Sequence, residues 1–297
     1  MASFYQAIAD NKRRSFFIIA LFVCFVSVTG YILSYSFDSQ VFLPLALAYS
    51  AISAFSSYFL GDKIVLSLNQ AVVADKKNFF EFYTVTENLA KAASIPMPKI
   101  YVIDSPAMNA FATGRSPQHA SVCATTGLLR ELNRTELEGV IGHELSHIKN
   151  YDTLLMTVVS VLLGTVSALI NFTNRSSFIS YKDDDEYPPR HRQHQDIFQI
   201  LGVFLLIFAP LISRLIQLAI SRRREFFADA SSVSLTRQPS GLISALQKIA
   251  SDSTPFLQAS KATDSLYINN PFKGQKLTNL FSTHPPIEDR IAALKKM

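Results

Sequence analysis

The sequence predicts a mainly α-helical membrane protein, with four transmembrane helices and a split α+β water-facing domain that contains a small β-sheet. Three observations lead to this fold class. Of the 297 residues, 48% are hydrophobic and only 17% are charged, whereas a soluble domain has about 25% charged residues. Four apolar runs approach the roughly 20 residues that cross a bilayer. The remaining polar segments together reach a normal domain size.

The same composition excludes several other classes of protein. The chain has two cysteines, Cys24 and Cys123, which are too few for a disulfide framework, so both are expected to be free thiols. The net charge of +5 is modest. Its basic clusters flank the apolar runs, which argues against nucleic acid as a partner and for a lipid bilayer.

The apolar runs predict two transmembrane hairpins, over residues 1–60 and 154–220. The first run is longer than the apolar core of a signal peptide, and no small-x-small cleavage site follows it, so we expect a retained anchor. A polar loop at 173–196 separates the last two runs and carries several basic residues. That charge leaves open a shallower second hairpin that does not cross fully. The runs are Phe16–Tyr35, Val41–Leu60, Leu154–Phe172 and Ile197–Ile220.

Basic residues beside the runs predict the orientation. If each run crosses once, the clusters Lys12–Arg14 and Arg222–Arg224 and the single Lys63 fall on one side of the membrane. The positive-inside tendency makes that side cytoplasmic. We therefore expect both water-facing segments, 61–153 and 221–297, to form one cytoplasmic domain that the second hairpin splits.

Local patterns predict the elements of the first water-facing segment. Alternation and a preceding proline break predict a strand at Lys99–Ile103, and weaker alternation predicts a second strand at Ala120–Thr125. Thr135 followed by Glu138 matches a capping box and predicts the start of a helix. The full set is a mostly helical Val65–Ala93, the two strands, a turn or loop at Asn109–Gly114 and a helix at Thr135–Asn150.

The predicted helix at 135–150 contains the sequence HELSH, from His143 to His147. Histidines four residues apart lie on one helical face, about 6 Å apart, so both rings can bind one zinc ion. Glu144 points about 100° away from His143. It is therefore placed to accept a proton from a water molecule at the metal rather than to be a ligand.

A catalytic zinc site needs a third protein ligand and an open position for water. Glu225 and Asp229 lie one turn apart in a second helical segment, just after the fourth apolar run. Glu225 is the better ligand candidate because it lies nearer the membrane, at a height similar to that of the histidines. Asp229 is suited to orient a histidine through its other ring nitrogen.

These motifs resemble the HtpX family of membrane-embedded zinc metalloproteases, which is related to the CAAX-processing membrane metalloproteases and belongs to the gluzincins. The likeness covers nearly the whole chain, in order and in spacing. The motifs that carry it, besides the N-terminal hairpin, are Asn109–Gly114 (NAFATG), Gly127–Leu129, Glu136–Val140, His143–Asn150 (HELSHIKN), Arg224–Ala230 (REFFADA), Ser282–Pro286 (STHPP) and Arg290.

The resemblance implies a gluzincin-type zinc protease of the bacterial plasma membrane. It implies one Zn²⁺ per chain and an active site facing the cytoplasm, where the enzyme cleaves unfolded or membrane proteins under stress. By this resemblance His143, His147 and Glu225 would be the zinc ligands, and Glu144 would be the general base. His284 would donate a hydrogen bond to the oxyanion, and Arg290 would contact the scissile carbonyl or Asp229. Asn109 would bind the substrate.

The resemblance also implies that the strand at 120–125 binds an extended substrate by strand addition. Two other functions remain as alternatives at this point. A metal transporter would place ionisable residues near mid-bilayer, whereas Arg214 lies close to the end of its run. A zinc-binding adaptor or chaperone would not need Glu144, since a structural site requires no base.

Overall fold

Helices dominate the protein, and one small sheet packs among them. The computed structural model describes residues 4–180, 221–269, 271 and 285–297. The fourth apolar run, most of the polar loop and His284 therefore lie outside the described residues, and the division into four segments stays a prediction. The elements are α1 (Phe4–Ser36), α2 (Phe42–Phe59), α3 (Gly61–Leu68), β1 (Val72–Val73), α4 (Phe80–Ala93), β2 (Lys99–Ile103), β3 (Ala110–Ser116), β4 (His119–Thr125), α5 (Thr126–Glu131), α6 (Arg134–Lys149), α7 (Asp152–Ser180), α8 (Arg222–Thr236), α9 (Pro239–Ser251), a 3₁₀ helix (Lys261–Leu266) and α10 (Ile287–Leu294).

Helix α2 of the N-terminal hairpin has its large apolar residues on the outside. In α2 the buried residues are three serines, while Leu45, Ile52 and Phe55 are exposed. Small side chains at helix contacts and apolar ones outside are typical of helices that pack within a bilayer. Within the described part of the chain, α1 (from Gln6) and α2 are the two helices long and apolar enough to cross a membrane on their own.

The third apolar run begins buried against other helices, the N-terminal hairpin among them. Leu155, Val158 and Val159 in the first two turns of α7 are fully or almost fully buried. The long axis of α7 is bent by 82° from that of α6, so the two helices are not one continuous rod. Four full crossings are thus not established, although this bent pair would count as a third span if it crosses as one unit.

The sheet has the strand order β1-β2-β4-β3. β2 has the predicted bounds, but the prediction of a turn at 109–114 was wrong, because most of that segment is β3. β4 pairs in parallel with β2 and antiparallel with β3. Both of its edges are occupied, so the predicted addition of a substrate strand at 120–125 is excluded in this arrangement.

On the β4 side of the sheet the edge strand is β3, and its free edge is partly covered. The backbone oxygen of Ala110 accepts a hydrogen bond from the Ile268 amide at 3.0 Å. The Gly114 amide donates to Thr157 Oγ1 at 3.2 Å. The segment around Ile268 and helix α7 thus close this edge at two points.

The start of α6 differs from the prediction by one residue. The helix begins at Arg134, and its capping box is formed by Asn133 and Glu136, not by Thr135 and Glu138. The Glu136 amide donates to Asn133 Oδ1 at 3.0 Å, and the Asn133 amide donates to Glu136 Oε2 at 2.8 Å. The prediction was wrong because asparagine caps a helix as well as threonine does.

Two glycines let α6 lie close to the second water-facing segment. A Cβ on Gly139 would lie 2.8 Å from the backbone of Leu242, and one on Gly142 would lie 2.7 Å from Ser232 Oγ. Ser232 Oγ also donates to the Gly139 carbonyl at 2.6 Å. This contact sets α8 against the histidine-bearing part of α6.

Both cysteines are free thiols, as predicted. Cys24 is exposed on α1, whereas Cys123 in β4 is fully buried. Burial, together with the charge of Glu144, raises the pKa of the Cys123 thiol well above its usual range. Cys123 is therefore a core residue of the sheet with little thiolate character.

Candidate active site

Helix α6 presents His143 and His147 on one buried face. The exposed fractions of the two residues are 1% and 7%. Their Nε2 atoms face each other at 3.1 Å. Both rings therefore direct the same nitrogen to one point, as two ligands of a single ion would.

Helix α8 brings Glu225 to the same point. Its Oε2 lies 3.6 Å from His143 Nε2, and its Oε1 lies 3.6 Å from His147 Nε2. Ligands at about 2.0–2.1 Å in a tetrahedron are separated by roughly 3.3 Å. The measured separations of 3.1–3.6 Å are close to that value, with a different Glu225 oxygen facing each histidine, so this donor set fits a metal ion. Among the described residues, His143, His147 and Glu225 form the group of three side chains close enough to hold one.

Asp229 and Arg290 support His143 from behind. Asp229 Oδ1 lies 2.9 Å from His143 Nδ1, and a proton on Nδ1 leaves Nε2 free for a metal. Arg290 donates to both oxygens of Asp229, from Nε at 2.8 Å and from Nη2 at 2.6 Å. Arg290 is fully buried. Of the two contacts considered for Arg290, the structure contains the one with Asp229.

His147 has an acidic partner of its own, which the sequence analysis missed. Its Nδ1 lies 3.0 Å from Oδ2 of Asp152, the first residue of α7. The signal was an aspartate five residues after His147. Asp152 in turn contacts Asn11 of α1 and Arg224 of α8. Each histidine thus has a carboxylate at Nδ1 and directs Nε2 to the centre.

Charges at this site are strongly coupled. Burial and the charge of Arg290 act to lower the pKa of His143. Its hydrogen bonds to Asp229 and Glu225 outweigh them and raise the pKa to about 9. A metal ion binds the neutral ring, so metal and proton compete for the same nitrogen.

The two acids beside His143 are shifted in opposite directions. Burial acts to raise the pKa of Asp229, but the charge and hydrogen bonds of Arg290 lower it to about 2. Burial raises the pKa of Glu144, against the opposing charges of His143 and His147. A carboxylate with a raised pKa is suited to take up and release a proton near neutral pH.

Asn109 is bonded within the protein. It is buried just before β3, and its Nδ2 donates to the Asn269 carbonyl at 2.8 Å. Its Oδ1 accepts from the Ala110 amide at 3.1 Å. The substrate contact suggested for Asn109 stays a prediction, as does the role of His284, which lies outside the described residues.

Comparison with known proteins agrees with this geometry. The model of peptidase family M48 matches residues 77–297. The chain is also similar to the crystal structure of S. mikatae Ste24p, with a TM-score of 0.51 and 16% identity, over 98% of this chain and 67% of that one. At this identity, the likeness to Ste24p concerns the fold alone.

Curated relatives of equal length share much more of the sequence. A protein named protease HtpX homolog from Streptococcus equi subsp. zooepidemicus is 46% identical, and one from Lactobacillus helveticus is 43% identical, each over 99% of both chains. Because these relatives are named as proteases, they support a membrane-associated protease rather than a transporter or an adaptor. The chain therefore belongs to peptidase family M48, as a membrane metalloprotease of the HtpX family.

Proposed function

We propose that this protein is a zinc-dependent endopeptidase that cleaves unfolded or membrane proteins at the cytoplasmic face of the bacterial plasma membrane, in membrane protein quality control and the stress response. The observation that carries the proposal is the convergence of His143 Nε2, His147 Nε2 and the Glu225 carboxylate on one point, at 3.1–3.6 Å from one another. Glu144 is buried beside both histidines.

The donor set favours zinc over other common ions. Two imidazole nitrogens and one carboxylate leave a fourth position open, as in catalytic zinc sites. Magnesium and calcium prefer sites made only of oxygen ligands. A structural zinc site would have a fourth protein ligand instead. We therefore propose one Zn²⁺ per chain, held by His143, His147 and Glu225.

In the proposed reaction a peptide bond is hydrolysed without a covalent intermediate. A bound zinc ion supplies a Lewis acid that acidifies water and polarises the scissile carbonyl. Glu144 takes the proton from the attacking water and returns it to the leaving amine. Asp229 and Asp152 hold the two histidines in the tautomer that leaves Nε2 free. His284 is proposed as the oxyanion donor on the resemblance alone.

One contact supports a common side for the basic clusters. Arg224 Nη1 donates to Asn11 Oδ1 at 3.1 Å, so the start of α8 lies beside the beginning of α1. The clusters at 12–14 and 222–224 therefore lie together, as the proposed orientation requires. By the positive-inside tendency, this side faces the cytoplasm.

The orientation is tested by labelling single cysteines in sealed membrane vesicles, in a background without Cys24 and Cys123. Exposed Lys77 lies after the hairpin, and exposed Asp38 lies in its loop. We expect Lys77→Cys to react with a membrane-impermeant maleimide from the cytoplasmic side and Asp38→Cys from the opposite side. The reverse pattern would contradict the proposed orientation.

The activity is tested with Glu144→Gln in purified protein in detergent. We expect the variant to keep its zinc and its unfolding temperature, because no ligand is changed. We expect casein cleavage to fall at least about 100-fold, because the proton acceptor is lost. Glu138→Gln is the matched control, since Glu138 lies on the same helix in a surface ion pair. Undiminished cleavage by Glu144→Gln would refute the mechanism.

A further inference from the structure

The junction between α6 and α7 is an elbow, here defined as residues 150–152. Tyr151 has a φ of 59°, in the left-handed region that non-glycine residues seldom adopt. Together with the 82° bend between the two helices, this conformation turns the first residue of α7 back towards α6. The Asp152 carboxylate thereby reaches His147 Nδ1 at 3.0 Å.

Helix α1 holds this elbow through Asn11. Its Nδ2 donates to the Asn150 carbonyl at 2.9 Å and to Asp152 Oδ1 at 2.7 Å. The two contacts join residues that are 139 and 141 positions apart in the sequence. The next residue of α1 also contacts the elbow, because Lys12 Nζ lies 4.1 Å from the centre of the Tyr151 ring.

The orientation of the Asn11 amide is fixed from both ends. Its Nδ2 faces a carbonyl and a carboxylate, which only accept hydrogen bonds, while its Oδ1 accepts from the Arg224 guanidinium at 3.1 Å, which only donates. Asn11 is 5% exposed, although Arg13 and Arg14 beside it are exposed. A polar residue that merely marked the end of a membrane helix would be in water.

We propose that Asn11 is a positioning residue of the metal site, so that the N-terminal membrane helix is a working part of the active site and not only an anchor. Asn11 fixes one oxygen of Asp152. The other oxygen then accepts the Nδ1 proton of His147, and Nε2 stays free for the metal. This inference rests on the proposed role of His147 as a ligand.

The directions of the hydrogen bonds make a specific prediction for the relay, here defined as the hydrogen-bonded series Asn11, Asp152 and His147. In Asp152→Asn, the Asn11 amide still needs an acceptor, so the new Oδ1 turns towards Asn11 and the new NH₂ faces His147. That arrangement favours the wrong tautomer of the ring, with its proton on Nε2. In the double variant Asn11→Asp with Asp152→Asn, the carboxylate at position 11 accepts the NH₂, and the new Oδ1 again faces His147.

The test measures metal affinity in the purified full-length protein in detergent. Zinc is removed, and Co²⁺ is titrated back while its visible absorption is followed, which reports affinity and ligand geometry without substrate. We expect Asn11→Leu to weaken binding about 10-fold and Asp152→Asn about 10–100-fold, as changes behind a ligand do. Ser15→Ala is the matched control, because Ser15 is buried one turn further along α1 and its hydroxyl donates to the backbone oxygen of Asn11 rather than to the elbow.

The double variant decides between a relay and a general loss of structure. We expect Asn11→Asp alone to weaken binding at least as much as Asn11→Leu, because two carboxylates then face each other. We expect the double variant to bind Co²⁺ more tightly than either single variant, because the contact with His147 is restored. The recovery should be partial, because the carboxylate at position 11 faces the Asn150 carbonyl and the new NH₂ faces Arg224. Losses that add up in the double variant would overturn the inference, as would wild-type affinity in Asn11→Leu. The two single variants and the double variant still decide the matter if Asn11→Leu does not fold.

Failure of the proposed function gives a different result. His147→Ala should abolish the Co²⁺ spectrum if His147 is a ligand. An unchanged spectrum in that variant would refute the metal site itself. A lost spectrum in His147→Ala with full binding in Asn11→Leu would refute only the role of Asn11.

Discussion

Helix α2 of the membrane hairpin and the region around the metal site bury different kinds of side chain. In α2, serines lie inside and large apolar residues outside. Around α6, apolar side chains form the core, yet its centre contains a cluster of charged groups, among them Asp229 and Arg290. The hairpin needs only close approach between helices, because lipid is as apolar as its own side chains. The metal site tolerates buried charge because each charged group there has a partner.

The substitution with the largest expected effect breaks the pair of Asp229 and Arg290. Asp229→Ala removes the carboxylate that accepts two hydrogen bonds from fully buried Arg290 and leaves the more distant Glu225, 3.7 Å from Arg290 Nη1. We expect the free energy of unfolding to fall by about 3–5 kcal/mol, because a buried charge that loses its hydrogen-bonded partner is strongly destabilising. Urea unfolding in detergent measures the loss. The double variant Asp229→Ala with Arg290→Met should recover much of the stability, and an equal or larger loss in it would contradict this explanation.

The next comparison distinguishes the proposed metal ligand Glu225 from Asp229, which orients a ligand. Glu225→Ala should lower zinc affinity by more than about 100-fold, because two histidines alone leave the ion half coordinated. In Asp229→Ala, measured where the protein is still folded, the loss should be about 10–100-fold. Competition with a chelator gives both numbers. A larger loss of zinc in Asp229→Ala would mean that the two acids have exchanged roles.

A third variant tests whether α2 has a distinct inner face of serines and an outer face of apolar residues. Ser53 of α2 is 4% exposed, so Ser53→Leu should destabilise the hairpin by about 1–3 kcal/mol through overpacking. Ala51→Leu adds a side chain of similar size on the exposed face of the same turn and should be close to neutral. Unfolding temperatures in a mild detergent compare the two. Equal effects would show that the inner and outer faces are not distinguished.

The smallest effect compares two helical glycines. Gly139→Ala should destabilise the protein by about 1–2 kcal/mol, because its Cβ would lie 2.8 Å from the backbone of Leu242. Among the described residues, the Cβ of Gly164→Ala meets only Ala262, at 3.6 Å, so the substitution should be neutral or stabilising by up to about 1 kcal/mol through helix propensity. Opposite signs in chemical unfolding would confirm that α6 docks backbone to backbone. The same sign in both would contradict it.

Local patterns predicted the centre of the site better than its surroundings. His143 and His147 share a helical face through their spacing alone, and Glu225 and Asp229 do the same, so all four could be chosen from the sequence. β2 was also predicted with its bounds. β3 was missed because Ala110–Ser116 is rich in small residues and lacks the alternation of a typical strand.

Features that depend on contacts between distant parts of the chain could not be predicted. Nothing near Asn11 indicates that its amide meets Asp152, since that contact exists only after α1 packs against α7. Likewise, hydropathy marks the run at 154–172 as a possible span. It cannot tell lipid from a protein interior as the apolar surrounding of Leu155 and Val159.

The reactivity of the Cys123 thiol can be used to follow unfolding of the protein. A thiol that is fully buried between two paired strands and has a raised pKa does not react with a water-soluble reagent while the sheet is intact. Its side chain lies in a buried apolar cluster with Phe111 and Tyr267, so the opening of this cluster would expose it. The rate at which such a reagent modifies Cys123 in a Cys24→Ser background therefore follows the opening of the water-facing half without any engineered cysteine, even in intact membranes.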